Sequence, residues 1–115
     1  AGMPPAYLYH GDTGLVEEIL IPGLPLGSMK KASFDLENFS MHSSDALVLL
    51  SDGLPECSNH DGEMLDYEPV LKCIEENGSK SAEGIKNALI DLGDNWMSGL
   101  MNDDDITLVV VKKKN

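Results

Sequence analysis

Basic residues are scarce in this chain. Its 115 residues include eight basic and twenty acidic side chains, which give a formal net charge of −12. Nucleic acids and anionic membranes are bound mainly through clusters of Lys and Arg. The basic run Lys112-Lys113-Lys114 is too short to reverse the overall balance. We therefore expect neither a nucleic acid nor a membrane among the partners.

Long apolar runs are also missing. No run approaches the roughly 18 residues that a membrane-spanning helix needs. The first five residues carry neither the basic region nor the apolar core of a signal peptide. We expect a cytoplasmic protein, and we expect residues 1–115 to form a single domain because this length supplies one modest core.

Cysteine is rare as well. Cys57 and Cys73 are far apart, form no CxxC motif and have no histidine at ligand spacing, so no zinc site or redox motif is predicted. We expect both to be free thiols in a reducing compartment. The three histidines show no pairing with a nucleophile and are predicted to lie at the surface or in loops: His10, His42 and His60.

What the chain does contain begins with strand patterns. Residues 7–10 and 15–21 flank Gly11-Asp12-Thr13-Gly14, which predicts a β-hairpin with a tight turn. Residues 32–37 alternate between apolar and polar, as in a half-buried strand. The apolar phase then shifts near Glu37 and Asn38, which predicts a bulge or bend there.

Two further strands are predicted from apolar runs. Residues 45–50 show no polar alternation after Asp45, which is typical of a strand buried on both faces beneath a second layer. Residues 106–111 are β-branched and apolar, which favours a central strand.

Two helices are predicted between these strands. Asp66 and Pro69 mark the start of the first, and Asn77-Gly78 is predicted to end it in a left-handed cap. Ser81 can cap the second, whose apolar stripe is predicted at Ile85, Leu89, Leu92 and Trp96. The predicted fold class is α+β, with at least one helical layer covering the sheet.

Two aspartates lie at the ends of predicted strands. Asp52, in Ser51-Asp52-Gly53, follows one apolar strand, and Asp104, in Asp103-Asp104-Asp105-Ile106-Thr107, precedes the last one. Folding could bring the two carboxylates together, and carboxylates on rigid strands are suitable ligands for a hard divalent cation. An Asp-Gly pair after a strand is also ordinary turn chemistry, so the pair alone leaves the metal role open.

The motifs around these aspartates resemble those of a known family. In chain order they are Ala1-Gly2-x-Pro4-Pro5, Gly23-Leu24-Pro25-Leu26-Gly27, Leu49-Leu50-Ser51-Asp52-Gly53-Leu54-Pro55-Glu56, Gly62-Glu63-Met64 and Asp104-Asp105-Ile106-Thr107. Each motif is weak alone. Five of them in order across nearly the whole chain are similar to the metal-dependent protein phosphatases, specifically the SpoIIE-like branch related to the type 2C enzymes.

The resemblance implies a fold and an activity. Members fold as an αββα sandwich of two antiparallel sheets, hold two Mn²⁺ or Mg²⁺ ions and dephosphorylate phosphoserine or phosphothreonine in proteins. In the SpoIIE-like branch the usual substrate is a phosphorylated regulatory protein, an anti-sigma-factor antagonist. By motif, Asp52 and Asp104 would ligate the same ion. Ser44 departs from the family, which commonly has a glycine before Asp45.

The resemblance also implies that part of the metal site is missing. In the family, an aspartate from a GDxxGHG-like segment bridges the two ions, and the sequence contains no such segment. We therefore expect the chain to be the C-terminal half of a phosphatase domain, to hold at most one ion weakly and to be inactive alone. We also expect its unpaired strand edges to make it self-associate.

Other residues near the motifs have two interpretations each. Gly53, Glu56, Asp105 and Thr107 could support or border the metal site, but each also fits an ordinary place in a loop or strand. The main alternative for the whole chain is a partner-binding module with a degenerate phosphatase fold and no turnover. A weak calcium loop is disfavoured because the regular D-x-D-x-D-G spacing is absent.

Overall fold

The computed structural model describes residues 5–19, 40–100 and 105–114. Its elements in chain order are β1 (Ala6–Tyr9), β2 (Val16–Ile19), β3 (Ala46–Leu50), α1 (Tyr67–Asn77), α2 (Ala82–Met97) and β4 (Leu108–Lys112). The strands form one sheet in the order β2-β1-β3-β4, and every neighbouring pair is antiparallel. The predicted α+β class, the first hairpin and the two helices between β3 and β4 are confirmed.

Several predictions concern other parts of the chain. The strand predicted at 32–37, the bulge near Glu37 and Asn38, the loop at 23–27 and the aspartates Asp103 and Asp104 lie outside the described residues.

Both helices begin where the sequence predicts. The Asp66 carboxylate accepts a hydrogen bond from the amide of Tyr67 at 2.8 Å, at the start of α1. The Ser81 hydroxyl accepts one from the amide of Gly84 at 3.1 Å, at the start of α2. Each side chain satisfies a main-chain donor that the helix leaves unpaired, which is the physical basis of capping.

The prediction of a left-handed cap at Gly78 is wrong. Gly78 has φ −60°, an ordinary right-handed value. Glycine is required here by space instead, because a Cβ atom at this position would overlap the ring of Tyr9. The left-handed cap lies at the end of α2, where Ser98 has φ 50° and its amide donates to the carbonyl of Asp94 at 2.9 Å.

The helices cover one face of the sheet. Strand residues Tyr7, Ala46, Val48 and Leu50 form one buried cluster with helix residues, which are Val70, Ile74, Ile85 and Leu89. Helix α2 continues through Gly93, whose lack of a side chain leaves room for Leu54. The burial of this face therefore depends on contacts between elements that are distant in sequence.

The opposite face corrects two predictions. Strand β3 is not buried on both sides, because Leu49 is 40 % exposed while its neighbours Val48 and Leu50 are buried. Strand β4 is not central among the described strands, since it pairs only with β3 at the sheet edge. Its Val109 and Val111 are 49 % and 45 % exposed. The first prediction assumed a second layer over the sheet and the second assumed a further strand beside β4, and the described residues supply neither.

The loops and thiols match the predictions. Cys57 and Cys73 are free thiols, the first buried and the second partly buried. All three histidines lie outside the regular elements. Within the described residues, no helix is long and apolar enough to cross a membrane.

Candidate metal centre

Asp52 lies in a tight turn directly after β3. The amide of Glu56 donates to the carbonyl of Asp52 at 3.0 Å and closes the turn. The next three residues, Gly53, Leu54 and Pro55, are buried, whereas the side chains of Asp52 and Glu56 are exposed. The turn is thus fixed to the protein by its apolar part and presents its carboxylates to solvent.

Hydrogen bonds join this turn to the segment before β4. The amide of Ser51 donates to the carbonyl of Thr107 at 2.8 Å, and the amide of Thr107 donates to Oγ of Ser51 at 3.0 Å. The Ser51 hydroxyl in turn donates to the carbonyl of Asp105 at 3.3 Å. Ser51 therefore connects the two acidic motifs, a role that motif matching alone did not identify.

Gly53 brings the two segments into direct contact. A Cβ atom at this position would collide with the main-chain carbonyl of Asp105, so only glycine permits this approach. The turn carrying Asp52 and the segment starting at Asp105 consequently meet at one edge of the sheet. Asp104 itself lies outside the described residues and is the covalent neighbour of Asp105.

The other predicted residues have mixed outcomes. Thr107 contacts the Asp52 turn through its main-chain amide and carbonyl, which both bond to Ser51. Asp105 supplies the carbonyl that meets Gly53 and Ser51. Glu56 lies close enough to Tyr67 for its charge to act on that phenol.

The electrostatic potential at this edge of the sheet is negative. Burial raises the pKa of Tyr67, and the nearby charges of Glu56, Asp52 and Asp66 raise it further. These acidic side chains offer only oxygen donors, which suit Mg²⁺ and Mn²⁺ rather than softer ions. Among residues 5–19, 40–100 and 105–114, no group of three His, Cys, Asp or Glu side chains could hold a metal ion. The carboxylate oxygens at this edge suit a hard cation as ligands. The ligands among the described residues do not form a complete metal site.

The motifs do not identify a second aspartate, which lies directly before β3. Asp45, at the start of the strand, is 2 % exposed. Its Oδ1 accepts from the amide of Gly11 at 2.9 Å and its Oδ2 accepts from the amide of His42 at 2.8 Å. Burial raises the pKa of Asp45, but these two donors together with the charges of His10 and His42 leave the pKa below its ordinary value. Asp45 therefore ties the first hairpin to the start of β3.

The backbone at the residue before Asp45 accounts for the glycine that the family commonly has there. Ser44 has φ 71°, in the left-handed region that favours glycine. A glycine at this place, as the family commonly has, would adopt that backbone without strain. The family's common glycine before Asp45, together with a polar residue just before an apolar run, is the sequence signal that points to a structural role for Asp45.

The Gly62-Glu63-Met64 motif has a structural anchor. The indole Nε1 of Trp96 donates to the carbonyl of Glu63 at 2.9 Å, and Ser58 pairs with Met64 in an isolated β-bridge. Gly62 has φ 78°, which a turn at this point requires. Trp96 thus holds the loop against α2, a role that its place in an apolar stripe does not reveal.

Comparisons with known proteins agree with this architecture. The family model described as Stage II sporulation protein E (SpoIIE) matches residues 1–114. Phosphoserine phosphatase RsbU from Bacillus subtilis (strain 168) is 32 % identical over 120 residues, covering 99 % of this chain. The match spans only 33 % of that relative, so the chain corresponds to about a third of its length.

Solved structures share the fold. The SiaA-PP2C domain of Pseudomonas aeruginosa has a TM-score of 0.72 at 13 % identity, covering 94 % of this chain and 42 % of that one. The phosphatase domain of SpoIIE from Bacillus subtilis has a TM-score of 0.71 at 23 % identity, covering 99 % of this chain and 48 % of that one. At these identities the likeness establishes the fold, and the chain spans less than half of each matched structure.

Proposed function

The chain belongs to the SpoIIE family, and from this membership we propose that it is part of a metal-dependent protein serine/threonine phosphatase domain. The observation that carries the proposal is the contact between the Ser51-Asp52-Gly53 turn and the segment that starts at Asp105. Both motifs are held at one edge of the sheet, where a shared ion would need its ligands.

We propose Asp52 and Asp104 as ligands of one Mn²⁺ or Mg²⁺ ion. Ser51 and Gly53 serve this role by holding the turn against the Asp105 segment through the hydrogen bonds and close contact described above. Glu56 and Asp105 add negative charge at the rim. When bound, a pair of such ions supplies an activated water and neutralises charge on the phosphoryl oxygens. The bridging aspartate of the pair would come from a segment that this sequence lacks.

The proposed substrate is a phosphorylated serine or threonine in a regulatory protein of the anti-sigma-factor-antagonist type. The name of the RsbU relative, a phosphoserine phosphatase, supports this chemistry. A cytoplasmic location is part of the same proposal and agrees with the two free thiols.

Phosphopeptide turnover tests the proposal. The 115-residue chain is expected to be inactive with Mn²⁺, while the same chain preceded by a GDxxGHG-containing family segment is expected to be active. In the longer protein, Asp52→Asn should lower turnover by roughly a hundredfold or more because it removes a metal ligand. Asp91→Asn makes the same charge change at an exposed position of α2 and should leave turnover unchanged.

Two results would contradict different parts of the proposal. Strong Mn²⁺-dependent turnover by the 115-residue chain would contradict the expectation that the missing segment is needed for activity. An inactive longer protein that still binds a regulatory partner would contradict the phosphatase function and favour the alternative of a non-catalytic binding module.

We also propose that the isolated chain self-associates. Leu49 and Val109 are cross-strand partners on the face away from the helices, and Val111 lies beside them. An exposed apolar patch next to an unpaired strand edge favours association with other chains. Sedimentation should show oligomers at about tens of micromolar. A stable monomer at that concentration would contradict the proposal.

A further inference from the structure

Four of the eight basic residues line one cavity of the molecule. We call it the lysine cleft: a space of about 710 Å³ bordered by Lys80, Lys112, Lys113, Lys114, Tyr9 and the start of α2. Glu83 is the acidic residue among its described lining residues. The net charge of the chain is −12, whereas these four lysines make the charge at the cleft locally positive.

Two of the lysines build the wall of the cleft. The Nζ of Lys112 donates to the carbonyl of Gly78 at 2.6 Å and lies 5.6 Å from the centre of the Tyr9 ring. The Nζ of Lys113 donates to the carbonyl of Met41 at 2.8 Å. Both bonds are to neutral groups, so neither positive charge is neutralised by its partner.

The other two lysines have uncommitted ammonium groups. Lys80 and Lys114 are exposed. Within the described part of the chain, neither Nζ forms a hydrogen bond or ion pair. They are the groups that an incoming anion can reach without breaking an existing contact.

The lysine cleft is far from Asp52. In the register of β3 and β4, Ala46 pairs with Lys112 at one end and Leu50 pairs with Leu108 at the other. Since each strand residue rises about 3.4 Å, the two ends are separated by roughly 14 Å. A partner bound in the cleft would leave the edge at Asp52 free.

The shape and charge of the cleft indicate the kind of partner. A flat anionic membrane or a long nucleic acid would extend beyond the cleft over a molecule whose net charge is −12, which disfavours both. A narrow peptide can enter without that repulsion. Lys112 and Lys114 are two residues apart, a spacing of roughly 7 Å in extended chain, which matches carboxylates at alternate positions of an extended peptide.

We propose that the lysine cleft docks a short, carboxylate-rich extended segment of a partner protein. The binding requires no metal ion, so it can be measured in EDTA and does not depend on the phosphatase activity proposed above. Failure of one proposal therefore leaves the other intact.

Fluorescence anisotropy with a labelled peptide tests this proposal. The probe is a peptide in which glutamates alternate with serines, titrated with the 115-residue chain. The double substitution Lys80→Gln with Lys114→Gln should weaken binding roughly fivefold to thirtyfold, as expected for the loss of two solvent-screened ion pairs. Raising the salt concentration should weaken binding of the unsubstituted chain.

A matched control separates docking from general charge attraction. Lys72→Gln with Lys86→Gln makes the same change in net charge at exposed helix residues that do not line the cleft, and it should change affinity by less than about twofold. Equal losses in the two double variants would overturn the proposal. So would the absence of saturable binding, or tighter binding to phosphatidylserine vesicles or a thymidine oligonucleotide than to the peptide. Circular dichroism of each variant checks that the fold is retained.

Discussion

Two aspartates at opposite ends of strand β3 have contrasting environments. Asp45 is buried, and its two carboxylate oxygens accept main-chain hydrogen bonds from Gly11 and His42. Asp52 is exposed at the far end, on a turn whose neighbouring residues are tightly held. A carboxylate whose oxygens are already occupied stabilises the fold, whereas one that is held in place and exposed is available to bind an ion. The difference lies in the surroundings and not in the residue type.

Removing each side chain should separate the two roles most strongly. Asp45→Ala is expected to lower the free energy of unfolding by about 2–4 kcal/mol, because two part-buried amides lose their acceptors. Asp52→Ala is expected to change it by no more than about 0.5 kcal/mol, as is usual at exposed positions. Urea denaturation measures both. Similar losses in the two variants would contradict the contrast.

The close approach beside Asp52 gives the next largest effect. Gly53→Ala should destabilise the protein by about 1–3 kcal/mol, because the new methyl group collides with the Asp105 carbonyl and forces the segments apart. Gly84→Ala, in the first turn of α2, is the comparison variant and should change stability by less than about 1 kcal/mol in either direction, because its new methyl group meets side-chain atoms of Lys80 and Ser81, the nearest at 3.0 Å, and not a main-chain carbonyl. Thermal unfolding of both variants checks this, and a neutral Gly53→Ala would show that the two segments need not touch.

The pH dependence of stability should report on Asp45. Its pKa in the folded protein is lowered, so its contribution is fully present above the ordinary unfolded value near 4 and is lost as the pH falls through the folded value. The free energy of unfolding should therefore fall more between about pH 6 and pH 3 in the unsubstituted chain than in Asp45→Asn. Parallel curves would contradict a lowered pKa for Asp45 in the folded protein.

The smallest effect is expected at the histidine beside Asp45. The His42 imidazole is 82 % exposed, and its Nδ1 lies 3.6 Å from Oδ2 of Asp45. His42→Ala should cost no more than about 0.5 kcal/mol, because exposed ion pairs contribute little and the main-chain amide of residue 42 still donates to Asp45. A loss as large as that of Asp45→Ala would assign the stabilisation to the imidazole instead.

The elements that depend on residues close together in the sequence were predicted correctly. The hairpin before β3 and the capped starts of α1 and α2 depend on residues close in sequence, and all were predicted. The cap at Gly78 was mispredicted because the glycine there makes room for the ring of Tyr9, which lies far away in the chain, and does not adopt a left-handed backbone. The two-sided burial of β3 was mispredicted because an apolar run does not reveal how many layers cover it.

For the candidate site, too, the sequence predicts some features, and only the folded structure defines the others. The sequence predicts which segments meet, because the residues that follow β3 and those that precede β4 lie at the same edge of the sheet when the two strands pair antiparallel. The contacts that hold the site, through Ser51 and Gly53, depend on distances that only the folded chain defines. The role of Asp45 was missed because its partners come from the hairpin and from the turn before β3.

Manganese binding followed by NMR tests the central claim most directly. The amide signals of Asp45, Asp52 and Asp104 would be observed in the 115-residue chain and in the longer protein that contains the GDxxGHG-like segment. We predict that substoichiometric Mn²⁺ broadens the signals of Asp52 and Asp104 first in the longer protein and leaves them sharp in the short one. Sharp signals at both residues in the longer protein, or first broadening at Asp45, would contradict the assignment of Asp52 as a metal ligand.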